Sequence, residues 1–284
     1  MEFWKGHALG NDYIVLDPAD GAPPAPAVIR GLCDRHRGVG SDGVLVADRR
    51  RDPVGLRIFN PDGSEAEKSG NGLRIFGAWL HRTGRVAAGD ALAVALPGET
   101  VELRVVDRTD DGALVLSVDM GRASFRAGDL AYAAAPPDAE VLGDAVEAGG
   151  EEVRIHLVSV GNPHCVVFTE TLDLDRFRRL APAIQGLPAF ERGVNVQLAR
   201  VVAPDAVEIR IRERGAGETR ASGSSACAVA AAARRTGRID AEEVAVRMPG
   251  GTVRVRVDAD WAIRLTGEAR IVFAGDVDPA ALPD

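Results

Sequence analysis

Asn60-Pro61-Asp62-Gly63-Ser64-Glu65-Ala66-Glu67-Lys68-Ser69-Gly70-Asn71-Gly72-Leu73-Arg74-Ile75-Phe76-Gly77-Ala78-Trp79-Leu80 is the stretch from which the rest of the chain is read. Arg57-Ile58-Phe59 before it reads as the end of a strand, and Pro61-Asp62-Gly63 as a turn. Ser69-Gly70-Asn71-Gly72 then opens a helix, because Leu73, Phe76 and Leu80 recur at helical spacing. A helix start presents backbone N–H groups without intrahelical acceptors, together with the positive end of the helix dipole. It is a natural seat for a carboxylate.

The device recurs late in the chain. Glu213-Arg214-Gly215-Ala216-Gly217-Glu218-Thr219 precedes Ser222-Gly223-Ser224-Ser225 and then the apolar run Ala226 to Ala233. One such loop is an ordinary Ser-capped helix start. Two in matching settings point to helix N-termini directed at one small anionic ligand.

Working outward, Tyr13-Ile14-Val15-Leu16 is an apolar strand, and Gly6 to Asp12 reads as a break before it. A short helix is expected over Val28 to Arg35, and a tight turn at Gly38-Val39-Gly40-Ser41-Asp42-Gly43. Thr100–Val106 and Leu114–Asp119 alternate as strands about the hairpin signal Asp110-Asp111-Gly112. Acidic, Gly-rich Gly143 to Glu152 reads as a surface loop. The second half repeats the plan. Strands are expected at 153–160, 165–168, 193–202 and 207–212, with a helix over Leu174 to Ala183. Strands at 244–248, 252–258, 261–266 and 270–273 follow. Many short strands with two buried helices, in two similar halves, predict a duplicated α/β fold.

Composition narrows the function. A net charge of -8 argues against nucleic-acid binding as the main role. No apolar stretch resembles a signal peptide or is long enough to span a membrane. Cys33, Cys165 and Cys227 have neither disulfide nor zinc spacing and read as free thiols of a cytoplasmic protein. No metal is expected. The polar residues at strand ends are His7, Asn11, Asn60, Ser69, Asn71, Asn162, His164, Asn195, Glu213, Arg214, Ser222 and Ser224. Asn and Ser favour turns for local reasons, so it is their combination at strand ends that marks a site.

Several motifs carry a family resemblance: His7-x-Leu9-Gly10-Asn11-Asp12, Gly38-Val39-Gly40-x-Asp42-Gly43, Asn60-x-Asp62-Gly63-Ser64-Glu65-Ala66-x-x-x-Gly70-Asn71-Gly72, Gly161-Asn162-Pro163-His164 and Glu213-Arg214-Gly215-x-Gly217-Glu218-Thr219. In this order, over nearly the whole chain, they resemble the diaminopimelate epimerase family. Amino-acid racemases and related enzymes share that scaffold, so the motifs specify the family more sharply than the substrate. The resemblance implies two pseudo-symmetric α/β domains, each a mostly antiparallel or mixed sheet around a central helix, with the site between them. Residues 1–119 with 270–284 would form one, and 120–269 the other. It implies cofactor-independent inversion at Cα of a small amino-acid substrate, in a homodimer, with one cysteine thiolate removing the proton and a second cysteine thiol delivering one. By motif match Asn11, Asn60, Asn162, Asn195, Glu213 and Arg214 would hold the distal end of the substrate. Gly70, Asn71, Gly223 and Ser224 would lend N–H groups to the α-carboxylate, and His164 and Glu213 would flank the catalytic pair.

The chain departs from the pattern where the chemistry is centred. Ser69 and Ser222 stand where the family has its cysteines, and Ser225 where it has glycine. A thiol titrates near ~8.5, and positive surroundings lower it further. An aliphatic hydroxyl needs an adjacent base. The readings left open are a serine-type epimerase assisted by His164 and Glu213, a dehydratase of hydroxylated amino acids on the same scaffold, and a silent amino-acid-binding homologue or engineered Cys-to-Ser form.

Overall fold

Short apolar strands joined by tight turns build two compact units in the computed structural model, which describes residues 1–283. One unit is Met1–Asp119 with the chain from Thr266 onward, and the other is Met120–Leu265.

In the first unit Glu2–Ala8 and Asn11–Leu16 form a hairpin. Helix α1 (Pro26–Cys33) crosses over to Val44–Asp48, which lies parallel to Asn11–Leu16. Gly55–Phe59 returns antiparallel, and the two-residue strand Glu65–Ala66 folds back on it. Helix α2 (Gly70–Arg82) follows, then Ala91–Leu96, which is parallel to Gly55–Phe59, then Glu99–Arg108 and Leu114–Arg122.

The second unit has the same order. Glu151–Ser159 and Pro163–Phe168 form the hairpin, and α3 (Leu174–Gln185) crosses to Asn195–Ala203, parallel to Pro163–Phe168. Ala206–Glu213 returns, Gly217–Thr219 folds back, and α4 (Gly223–Arg235) precedes Glu243–Met248, Gly251–Val257 and the strand Ala262–Asp276. Each unit is therefore a mixed, mostly antiparallel sheet holding one buried helix.

Burial explains the two helices. In α2 every residue from Gly70 to Leu80 is buried, with Phe76 stacked on Trp79 at 5.3 Å between ring centroids. Burying each such ring stabilises the unit by roughly 1.5–3 kcal/mol. α4 is rich in alanine, buried from Ser225 through Ala233, and packs on six strands of its unit. Small side chains let those strands approach on every side, so α4 needs no polar face. Among the described residues no helix is long and apolar enough to cross a membrane.

Some elements differ from the sequence reading. The expected break at Gly6–Asp12 is mostly strand: Glu2–Ala8 runs through Gly6 with a bulge, and only Leu9-Gly10 turns. Gly6 is needed there, since a Cβ would meet Arg270 O and the Ile75 side chain at 2.8 Å. Helix α1 starts earlier than expected, with Pro26 in its first turn. Gly143–Glu152 is not a loop. Leu142–Ala148 pairs with Glu151–Ser159 about Gly149-Gly150, both with positive φ, and its charged Asp144 and Glu147 are exposed. Trp261–Thr266 and Arg270–Phe273 are not separate strands. Ile263, Leu265, Gly267 and Ala269 keep alternating inward, so Ala262–Asp276 runs on and its end pairs with Glu2–His7. The second, compact unit accordingly runs to Leu265.

Candidate active site

Both helix heads are built alike. Ser69 has φ -140° and ψ 115°, and its Oγ accepts from Gly72 N at 3.0 Å. Ser222 has φ -145° and ψ 121°, and its Oγ accepts from Ser225 N at 3.4 Å. Each cap satisfies one first-turn donor, and the first N–H groups of a helix have as a rule no intrahelical acceptor.

At the head of α2 the Tyr13 hydroxyl lies 3.3 Å from Ser69 Oγ. Asn71 donates to Asn11 Oδ1 at 2.9 Å, and Asn11 in turn donates to Asp42 at 2.8 Å. Fully buried Arg74 donates to Gly70 O, to Asn71 Oδ1 and to Glu268 O. Beneath this collar Asp12 takes Arg35 and Lys5. Burial works against its charge, but these bonds outweigh it and hold its pKa below the ordinary carboxylate value. Asn60 lies in the turn after Gly55–Phe59, donating to Ser64 Oγ at 3.0 Å.

At the head of α4 Ser222 Oγ donates to Glu213 Oε1 at 2.8 Å and lies 3.4 Å from Ser224 Oγ. Glu213 ends the strand Ala206–Glu213, which the short strand Gly217–Thr219 folds back upon. Asn195 donates to Pro163 O and accepts from Arg214 N, stapling the Gly161–His164 turn to the Glu213-Arg214 corner. The Arg214 guanidinium donates to Arg192 O at 2.7 Å.

His164 is fully buried, with Nε2 2.9 Å from Asn162 Oδ1 and Nδ1 3.0 Å from Gln197 Nε2. Its pKa is pushed down to about 3, first by burial and then by the Arg214 charge. Among the described residues it forms no hydrogen bond to Ser222, so the carboxylate of Glu213 is the base in contact with that hydroxyl. The three cysteines are buried. Burial raises the thiol of Cys33 to about 11 and that of Cys165 further. No set of three His, Cys, Asp or Glu side chains among the described residues is placed to hold a metal.

In the second unit the structure thus joins Ser222, Glu213 and Ser224, pairs Asn162 with His164, and staples Asn195 to Arg214. In the first it links Asn11, Asn71 and Gly70 beside Ser69. Residues absent from the sequence reading are Tyr13, Arg74, Gln197 and the positive role of Ser225. Tyr13 was hidden in an apolar strand and Arg74 in a helix face. Gln197 left a signal, being a lone amide in the apolar run Val196-Gln197-Leu198-Ala199.

The family profile of diaminopimelate epimerase matches residues 3–126 and 156–272. "Diaminopimelate epimerase 2" of Nostoc sp. is 37% identical over 280 residues, covering 98% of this chain and 95% of that one. The diaminopimelate epimerase of Desulforudis audaxviator is 38% identical over 279 residues, covering 97% and 98%. Among solved structures, a hydroxyproline epimerase from Agrobacterium vitis with bound trans-4-hydroxy-L-proline superposes with a TM-score of 0.69 at 17% identity, covering 99% of this chain and 93% of that one. A probable proline racemase from Agrobacterium radiobacter gives 0.72 at 16%, covering 98% and 92%, a likeness of fold. Matched along nearly its whole length by relatives of one kind, the chain belongs to the diaminopimelate epimerase family.

Proposed function

We propose that this chain is a cofactor-independent amino-acid epimerase or racemase that moves a proton at Cα, with diaminopimelate the first substrate to test. The observation that carries the reading is the hydrogen bond from Ser222 Oγ to Glu213 Oε1, at the head of a buried helix in a chain of this family. Ser222 Oγ takes the Cα proton as its own proton passes to Glu213, so the carboxylate supplies the basicity that a hydroxyl lacks. The electron pair left on Cα spreads into the α-carboxylate. First-turn N–H groups of Gly70, Asn71, Gly223 and Ser224 are assigned to stabilise that charge. Ser69 is assigned delivery of a proton to the opposite face, with the Tyr13 hydroxyl as its source. Asn11, Asn60, Asn162, Asn195 and Arg214 are assigned to the distal end of the substrate, Asn195 by shaping the corner at Arg214. His164, neutral and buried, orients Asn162 and does not exchange the reacting proton. A homodimer in the cytoplasm is part of the same reading, the three buried cysteines, none in a disulfide, fitting a reducing setting.

The test is incubation with LL- and meso-diaminopimelate in D2O, read by NMR. Deuterium at Cα with inversion is the expected result. A keto or imino product assigns a dehydratase instead. Thermal stabilisation by the amino acid with no exchange assigns a binding protein.

A further inference from the structure

Gln197 and Ser225 are both fully buried, one on the strand Asn195–Ala203 and the other in the first turn of α4. The Gln197 side-chain nitrogen lies 3.0 Å from His164 Nδ1 and 2.9 Å from Ser225 Oγ. An amide NH2 only donates, so Nδ1 is an acceptor and carries no proton. The imidazole proton then sits on Nε2 and is donated to Asn162 Oδ1, 2.9 Å away. One lone pair of its oxygen is then taken, and the NH2 of the half-buried Asn162 amide remains to be offered.

The chain of bonds Ser225–Gln197–His164–Asn162 therefore has a polarity, and one end sets the other. Turning the Gln197 amide over would put a proton on Nδ1 and make Asn162 donate to Nε2, leaving Asn162 to present its oxygen. The observed orientation leaves Gln197 Oε1 buried without a partner. The reverse would strand both donors of the NH2 group, and buried donors are the less often left unpaired.

We infer that Gln197 and Ser225 are positioning residues that hold His164 as its Nε2-protonated neutral tautomer, so that Asn162 offers N–H groups to the ligand. The ligand atom met by that NH2 is then a hydrogen-bond acceptor, such as a carboxylate oxygen. This rests on the amino-acid reading for the identity of the ligand, but not for the tautomer.

The experiment is nitrogen NMR of protein labelled with 15N-histidine, His164 being assigned by the signals lost in His164→Gln. A protonated Nε2 and an unprotonated Nδ1 are expected at pH 7, unchanged on lowering to pH 5. Gln197→Glu exchanges the donor for an acceptor and should move the proton to Nδ1. In the exchange assay it should raise KM about tenfold with kcat changed less than about threefold, as for loss of a ground-state contact. Ser225→Ala should raise KM by about threefold, since it frees one end of the Gln197 amide. Should Gln197→Glu not fold, Gln197→Met keeps the length and removes the donor, and the tautomers should then mix. A wild type with Nδ1 protonated, or substitutions of Gln197 that leave both ring nitrogens unchanged, overturns the inference. Turnover of no amino acid sinks the proposed function instead, because the tautomer result is read without substrate.

Discussion

The heads of α2 and α4 share a backbone and differ in what holds the serine. The capping torsions agree closely, both helices are 13 residues long, and both are buried. Yet Ser69 faces a phenol at 3.3 Å, while Ser222 donates to a carboxylate at 2.8 Å. A bond to a charged acceptor is shorter and roughly twice as strong as a neutral one. The partners come from non-equivalent places: Tyr13 lies within Asn11–Leu16, whereas Glu213 ends Ala206–Glu213, the counterpart of Gly55–Phe59. Duplication has kept the device that seats an anion and has let the acid–base partner vary. The cap alone therefore does not define the chemistry.

Replacing the stronger partner should have the largest effect. Glu213→Gln should lower Cα exchange about 10²- to 10⁴-fold, the usual range for removing a general base, whereas Tyr13→Phe should cost less than about tenfold. Equal losses would break the proposed asymmetry. Next, the protein as written should invert diaminopimelate slowly, and Ser69→Cys with Ser222→Cys should raise the rate by at least about tenfold, because a thiol ionises near neutral pH. Both single replacements belong in the comparison. A fast serine form slowed by cysteine would mean that the site is built around its hydroxyls.

A smaller effect concerns acid. Burial depresses the pKa of His164, to about 3, and also that of His156, so the folded chain refuses protons that the unfolded chain accepts. Stability should be fully present above the ordinary histidine value of ~6.5 and fall as pH drops from there toward 3, by up to a few kcal/mol. Urea unfolding at pH 7 and 5 measures this, and His164→Gln should reduce proton uptake on unfolding by about one. A flat profile between those pH values would refute the neutral assignment. Smallest is the cap itself: Ser69→Ala should cost about 1 kcal/mol in urea unfolding, as for an ordinary N-cap.

Both helix heads were legible in the sequence because a Ser-Gly start before an apolar run is a local signal. Their environment was not. Tyr13 reads as core until its hydroxyl is seen near Ser69, and Gln197 becomes meaningful only when parallel pairing brings the strand of His164 beside its own. Acidic Leu142–Ala148 and small Ala91–Leu96 were missed as strands because composition masked their alternation. Ser225 was legible only as a departure from a pattern, and its hydrogen bond from Gln197 gives that departure a physical role.

The strand Ala262–Asp276 also fixes an order of events during synthesis. Its end pairs with Glu2–His7, so the first unit lacks one of its strands until residues 270–276 leave the ribosome. Roughly 150 residues intervene, which at about 5–20 residues per second is on the order of ten to thirty seconds. Throughout that interval Glu2–Ala8 has Asn11–Leu16 on one side and an open edge on the other. This early segment is completed late, and a chain cut short at Leu265 would leave that edge permanently available to other strands.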